Sequence, residues 1–442
     1  MNIPLDNLYH WIQGLAQHPV ILYVFRPHGS KDIFDLAKFK DVSTIAYGEP
    51  LATGITCHDQ EPLDFATHEF NYDPARLQNL FKKRNTSDDA LCLMMAFYSN
   101  LSLFLNFKPN WLNAGMFRDW SILLHSEQNS NDVVQFAQQG FLPVYYWSHA
   151  VISRDWYRFA QHDVRLAQRQ IEKTFLVYCR DWTPNREYRL KFLELLVSSR
   201  LFEDCIVSTQ HTNNQGVHLI DYQPQDSRFV VNAQNLLCIP DNNSLPSASA
   251  DYDVNNITST AVSIVLETVA DGDKIHLTEK TLRPIACAHP FILMAGPGSL
   301  AYLKSYGFRT FSDFWNEDYD QETNTLKRME MITRSMAQVQ QLSDSDWITI
   351  NKIAGYNKQH FFSEEFIKQV VDELQTNLNH AVSFCSQHRG ETYWAWRKFI
   401  RQSRLHNQYA FFKSEISKNT VRELRKHRST RFRNVSTPVI GQ

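Results

Sequence analysis

Apolar runs of four to six residues recur along this chain, and each gives way at its carboxyl end to polar, chemically capable side chains. Val20-Ile21-Leu22-Tyr23-Val24-Phe25 opens the series. Thr53-Gly54-Ile55-Thr56-Cys57 runs into His58-Asp59-Gln60-Glu61-Pro62, and Trp120-Ser121-Ile122-Leu123-Leu124 runs into His125-Ser126-Glu127. Leu142-Pro143-Val144-Tyr145-Tyr146-Trp147 leads into Ser148-His149. This is how strands carry side chains to the rim of a parallel sheet, and helical periodicity between them, as from Leu91 to Leu105, makes the order alternate β and α. A chain of 442 residues also exceeds the size at which one core keeps growing, so two α/β domains with a cleft between them are expected.

The pattern restarts near residue 165. Thr174-Phe175-Leu176-Val177-Tyr178-Cys179 reads as a strand, Pro184-Asn185 as its turn, and residues 187–199 as an amphipathic helix. Residues 241–256, rich in Asp, Asn, Ser and Pro, read as a surface loop. A second βαβ unit follows: the strand at Val262-Ser263-Ile264-Val265-Leu266, a helix from about Thr278, and the strand Phe291-Ile292-Leu293-Met294. From about Glu364 the chain reads as helical, and across residues 389–433 it carries 13 Lys and Arg against 3 Glu. The expected units are 1–168, 169–360 and a helical, basic extension over 361–442.

With 45 Lys+Arg against 47 Asp+Glu, a coat of nucleic acid along the whole chain is not expected. Seven cysteines stand singly, without a CxxC pair, which predicts free thiols in a reducing compartment. The N-terminus lacks the pattern of a signal peptide, and no apolar run reaches the roughly 18 residues of a membrane span, so a cytoplasmic protein is expected. GxGxxG, GxxxxGK[ST] and GxSxG are absent, as are His/Cys clusters at zinc spacing. Asp-x-Asp triplets occur at Asp251-Tyr252-Asp253, Asp271-Gly272-Asp273 and Asp318-Tyr319-Asp320, the pattern by which a metal-dependent GT-A transferase would hold a divalent cation.

The most informative stretch joins Glu267-Thr268 to Thr278-Glu279-Lys280 and His289-Pro290-Phe291-Ile292. Thr278 is placed to cap a helix, so free backbone N–H groups, the positive dipole end and Lys280 converge where a phosphate would sit. An acidic residue closing a strand, then Thr-Glu-Lys, a helix and a His-Pro-Phe-Ile strand resembles the donor-binding half of GT-B glycosyltransferases, especially the α1,3-fucosyltransferase and exostosin-like groups. Gly296-Pro297-Gly298-Ser299-Leu300 and Tyr306-Gly307-Phe308-Arg309-Thr310-Phe311 are similar to proteins of large tailed phages assigned as glycosyltransferases. The resemblance spans roughly residues 174–311. The fucosyltransferases have Glu-Asn-Ser where this chain has Glu267-Thr268-Val269, and Val-Pro where it has His289-Pro290, so fucose is not implied.

The resemblance implies two Rossmann-like domains, an acceptor side in the first and a nucleotide-sugar site in the second. It implies that Glu279 holds the donor ribose and Lys280 the diphosphate, with Glu267 and Thr278 in the same site. An Arg on the helix after the first strand of that half contacts the diphosphate in these families, which corresponds here to Arg186 first and Arg189 second; a planar guanidinium suits phosphate oxygens. Removing the acceptor proton needs a carboxylate in the cleft. Glu61 is the expected base, with Asp59 and Glu127 behind it and His58 and His149 on the acceptor side. No cofactor is implied beyond the nucleotide sugar as co-substrate, and no divalent metal. The basic tail, with Tyr393, Trp394 and Trp396, points to DNA or an anionic membrane surface as partner, or to ordinary packed helices. A non-catalytic nucleotide- or polyanion-binding module, or a GT-A-type enzyme, are the alternative readings.

Overall fold

A computed structural model describes residues 12, 15, 20–25, 53–58, 122–138, 142–182, 186–213, 215–241 and 250–387, with only the backbone of 20–25, 53–58, 382 and 385–387. Among them the chain is α/β, built on two four-stranded sheets whose pairings are all parallel. The first sheet runs β1 (Val20–Phe25), β2 (Thr53–His58), β3 (Ile122–His125) and β4 (Leu142–Tyr145), in sequence order. The second contains β5 (Lys173–Cys179), β6 (Cys205–Thr209), β7 (Thr260–Leu266) and β8 (Phe291–Met294), in the order β6-β5-β7-β8.

That second order has a physical consequence. The chain leaves β5 in one direction to form β6 and returns to the other side of β5 as β7, so a crevice opens at the carboxyl ends of β5 and β7, where α/β sheets bind ligands. The first sheet shows no such reversal among the described strands. Every residue of β7 and β8 is buried, as expected of parallel strands covered on both faces.

The helices follow the expected punctuation. α1 (Asn131–Gln138) and α2 (Ser148–Trp156) belong to the first half. α3 (Tyr188–Ser198) follows β5 and buries Tyr188, Leu190, Phe192, Leu193 and Leu196. The segment read as loop to residue 256 instead closes in a short helix, α4 (Val254–Thr258), because the Asp253 side chain accepts from the Asn256 N–H and caps it. α5 (Glu279–Ala286) begins at the Thr278 cap. After β8 come α6 (Ser299–Ser305), α7 (Thr325–Val339), α8 (Asp344–Phe362) with a Ser343/Asp346 capping box, and α9 (Glu364–Gln387).

α8 packs on α5, whereas α9 returns to the first half and packs on β4 and α2. Asn377 donates to the Tyr145 carbonyl (3.0 Å), and Arg154 of α2 donates to the Phe361 and Ser363 carbonyls at the α8–α9 junction. The halves are further clamped by Trp147, fully buried beside Tyr302, Tyr306, Phe308 and Phe366, with its indole N–H on the Leu277 carbonyl (2.9 Å). Tyr145 and Tyr302 share a hydrogen bond, and Tyr306 donates to Glu373 (2.7 Å). Cys179, Cys205 and Cys287 are buried free thiols and Cys238 an exposed one. Among the described residues no helix is long and apolar enough to cross a membrane.

Candidate functional site

The loop between β7 and α5 sets the site. Glu267, the first residue beyond β7, is wholly buried, and its carboxylate is the hub. Oε1 accepts from the N–H groups of Thr278 (2.9 Å) and Thr281 (3.2 Å) and from the Thr281 hydroxyl (2.5 Å). Oε2 accepts from the Thr278 hydroxyl (2.6 Å) and the Thr268 N–H (3.1 Å). The Lys280 N–H turns to the Thr278 hydroxyl (3.4 Å). An internal carboxylate thus already stands at the positive end of α5, and the expectation of free N–H groups for a phosphate is corrected: Thr278, Lys280 and Thr281 donate within the protein. Glu267 and Thr278 shape the site by holding α5, not by reaching out of it.

Side-chain charge remains available at this point. The Lys280 ammonium, only partly buried, lies 2.7 Å from Glu279 Oε1 and 3.2 Å from the Thr268 hydroxyl. Lys280 and Arg283, one turn apart on α5, line a cavity of about 30 Å³ with Tyr178, Ile257 and Ser263, room for a water or two. The Arg283 guanidinium lies over the Tyr178 ring (5.2 Å), and its Nε donates to the Tyr157 hydroxyl (3.4 Å). Arg283 escapes sequence reasoning, although its position three residues after Lys280 places it on the same helical face.

At the end of β5, Arg186 and Arg189 part company. Arg189 is buried and donates to the carbonyls of Asp181 (2.6 Å), Leu266 (2.9 Å) and Glu267 (2.9 Å), pinning the carboxyl end of β5 to that of β7. The Tyr188 hydroxyl joins it on the Glu267 carbonyl. Arg189 is therefore a cross-link beneath the crevice, which corrects its reading as a diphosphate ligand. Arg186 is partly exposed above it, paired with Asp181.

The first half meets this loop edge to edge. Gln128 and Ile275 exchange both backbone hydrogen bonds (3.0 Å each). Lys274 bridges Glu127 (3.1 Å) and Asp132 (2.8 Å), and Glu127 also accepts from Ser130 (2.5 Å). The third candidate base is thus buried in an ion pair that joins the halves, which assigns Glu127 a structural part. Behind it lie three histidines. His125 closes β3, and burial pushes its imidazole down to about 4. His276 meets the Ser126 hydroxyl (3.3 Å) through Nδ1 and is likewise pushed down by burial. His149, in the first turn of α2, stands edge-on to His276 (5.4 Å between centroids), with Nδ1 3.6 Å from Glu279 Oε2. Burial would raise the Glu279 carboxyl, but Lys280, His149 and Arg283 outweigh it and hold the group well below the carboxylate range.

Direct contacts join Glu267, Thr278, Glu279, Lys280, Arg189 and His149 around the β7–α5 loop, and Arg186 pairs with Asp181 beyond the end of β5. Of the acceptor-side residues, β2 ends at His58, in register with His125 on β3. The His58 side chain, Asp59 and Glu61 lie outside the described residues, as does the basic segment 389–433. Among the Asp-x-Asp triplets, Asp253 caps α4, Asp271 pairs with Arg228 (2.6 Å), and Asp320 accepts from the Leu300 and Ala301 N–H groups of α6. His289, part of the motif that carries the resemblance, is a core histidine held by Ser263 (2.8 Å) and the Thr260 carbonyl (2.9 Å), with its imidazole pushed down to about 3 by burial. No family model and no curated protein matches this sequence.

Proposed function

We propose that the protein is a glycosyltransferase of GT-B type, with two Rossmann-like domains, that moves a sugar from a nucleoside-diphosphate donor to an acceptor hydroxyl. The observation that carries this reading is the meeting of the two parallel sheets: the residues after β3 and β4 adjoin the β7–α5 loop, so Lys280 and Arg186 stand at a switch-point crevice that the first half overhangs. In a direct displacement, the acceptor oxygen bonds to the anomeric carbon as the bond from that carbon to the diphosphate breaks. The proton passes to a carboxylate, which we assign to Glu61, and the departing charge falls on Lys280 and Arg186. With the N–H groups of α5 already engaged, these side chains supply the stabilisation. The acceptor hydroxyl is that of a glycan, a lipid-linked sugar or a modified DNA base, and the basic segment 389–433 is assigned to a DNA or anionic membrane surface.

Purified protein incubated with UDP-, GDP- and CMP-linked sugars tests the reading. Release of free nucleotide by the wild type, lost in Lys280→Ala with the fold retained, is the expected result. Binding without turnover in every mixture would instead favour a nucleotide-binding module.

A further inference from the structure

The β7–α5 loop leads to Lys280, and one residue after another along it is bonded to the first half. The Lys274 ammonium bridges Glu127 (3.1 Å) and Asp132 (2.8 Å), and the Ile275 backbone exchanges two hydrogen bonds with Gln128 (3.0 Å each). His276 Nδ1 meets the Ser126 hydroxyl (3.3 Å), the Leu277 carbonyl accepts from the Trp147 indole (2.9 Å), and the Glu279 carbonyl accepts from the Tyr157 hydroxyl (3.3 Å). The backbone contacts fall on Ile275, Leu277 and Glu279, every second residue, the spacing at which an extended chain turns its peptide groups to one side. Thr278, between them, turns to Glu267 of its own half. From this arrangement we infer that the first half positions the donor site: Gln128, Trp147 and Tyr157 hold the loop that aims Lys280, and the two halves bind the donor as one rigid body, without a closing motion. The inference rests on the reading of Lys280 as a diphosphate ligand.

Domain closure needs an interface that can part and a connection free to bend. The described residues supply neither. One core runs across the seam, from Ile122, Leu124 and Val144 of the first sheet through Trp147 to Tyr302, Tyr306 and Phe308 of the second half. Parting the halves would bring these rings and the peptide groups of Gln128, Ile275 and Leu277 to water together. The connection that follows α2 is pinned as well. Gln170 donates its N–H to the Thr258 carbonyl (2.9 Å), and Arg169 donates to the carbonyls of Thr260 (2.5 Å) and Ala261 (3.0 Å). The return crossing into α9 is held where Arg154 donates to the Phe361 and Ser363 carbonyls.

Tyr157 is the residue on which the positioning can be read most cleanly. It is wholly buried just beyond α2, and its hydroxyl meets α5 twice, donating to the Glu279 carbonyl and accepting from Arg283 Nε (3.4 Å). The start of α5 is thus held by Glu267 from its own half and by Tyr157 from the first. Lys280 meets a diphosphate from a fixed place, so the stabilising charge is in position before the donor arrives.

Amide hydrogen exchange of the full-length protein tests the rigid seam. The Gln128 and Ile275 N–H groups are expected to exchange within about tenfold of the amides of β7, and to keep that ratio when UDP, GDP, dTDP or ADP is added. Seam amides that exchange faster than this in the free protein, or that are slowed relative to β7 by a nucleotide, would show the halves opening and overturn the rigid body. Tyr157→Phe removes only the hydroxyl and tests the positioning. Well below its melting temperature it is expected to bind the same diphosphate about fivefold more weakly than the wild type, the size of one hydrogen bond. Tyr252→Phe, whose hydroxyl donates to Asp163 (3.1 Å) away from the loop, is expected to bind as the wild type does. Unchanged affinity in Tyr157→Phe, or an equal loss in both variants, would overturn the positioning. Absence of binding by all four nucleotides would overturn the reading of Lys280, while the exchange rates of the free protein would still decide whether the halves open.

Discussion

Glu267 Oε1 accepts both the N–H and the hydroxyl of Thr281, at 3.2 and 2.5 Å, so the residue that follows β7 fixes the first turn of α5 from outside the helix. Glu267→Gln keeps the shape but turns an amide NH₂ toward donors that need an acceptor. A loss of about 3 kcal/mol in unfolding free energy by urea titration is expected, from unmet buried hydrogen bonds to a charged group. A change within a few tenths of a kcal/mol would show that the hub does not hold α5.

Arg186 and Arg189 separate affinity from stability. Arg189→Ala leaves the carbonyls of Asp181, Leu266 and Glu267 without their donor and is expected to lower unfolding free energy by about 2–4 kcal/mol. Arg186→Ala takes its ion-pair partner from the buried Asp181 and is expected to cost less than Arg189→Ala, about 1 kcal/mol, while weakening diphosphate binding roughly tenfold, the size of one charge-assisted contact. The reverse pattern would exchange their parts.

At Gly296 a Cβ would lie 2.3 Å from the Lys274 carbonyl oxygen, a backbone atom that cannot swing aside. Gly296→Ala must therefore displace the β7–α5 loop at Lys274. A cost of about 1–3 kcal/mol is expected, with loss of the Lys274–Glu127 contact seen as faster amide exchange at Gln128 and Ile275.

Acid should weaken the fold through its buried histidines. His289 and His125 are pushed down by burial to about 3 and about 4, so below the ordinary value of 6.5 the unfolded chain binds protons that the folded one refuses. Stability then rises with pH: the full contribution is present above about 6.5 and is lost progressively toward the folded values. Unfolding free energy measured from about pH 7.5 to 4.5 should fall, and fall less steeply in His289→Gln. An equal slope in the variant would remove His289 from the account.

Some of this was legible in the residues. Largely apolar stretches such as Val262–Leu266 predict parallel strands buried on both faces, and Thr278 before Glu279-Lys280 is a local cap signal. The fate of the charges is not local. Nothing near Glu267 in sequence distinguishes a carboxylate open to a ligand from one turned under to hold a helix that starts eleven residues later. Arg189 and Glu127 differ from their expected parts for the same reason, since each is engaged by groups from another strand or the other half. His276 comes to the site only through the tertiary seam that joins the end of β3 to the β7–α5 loop, whereas Arg283 was within reach of helical spacing from Lys280.

The central claim is that Lys280 makes this crevice a diphosphate site, and a thermal-shift series tests it most directly. UDP, GDP, CMP, dTDP and ADP, each with EDTA and with Mn²⁺, would be compared on wild type and Lys280→Ala. The account predicts that one diphosphate raises Tm in EDTA and that the rise vanishes in the variant. A rise that survives in Lys280→Ala, or none with any nucleotide, would contradict it.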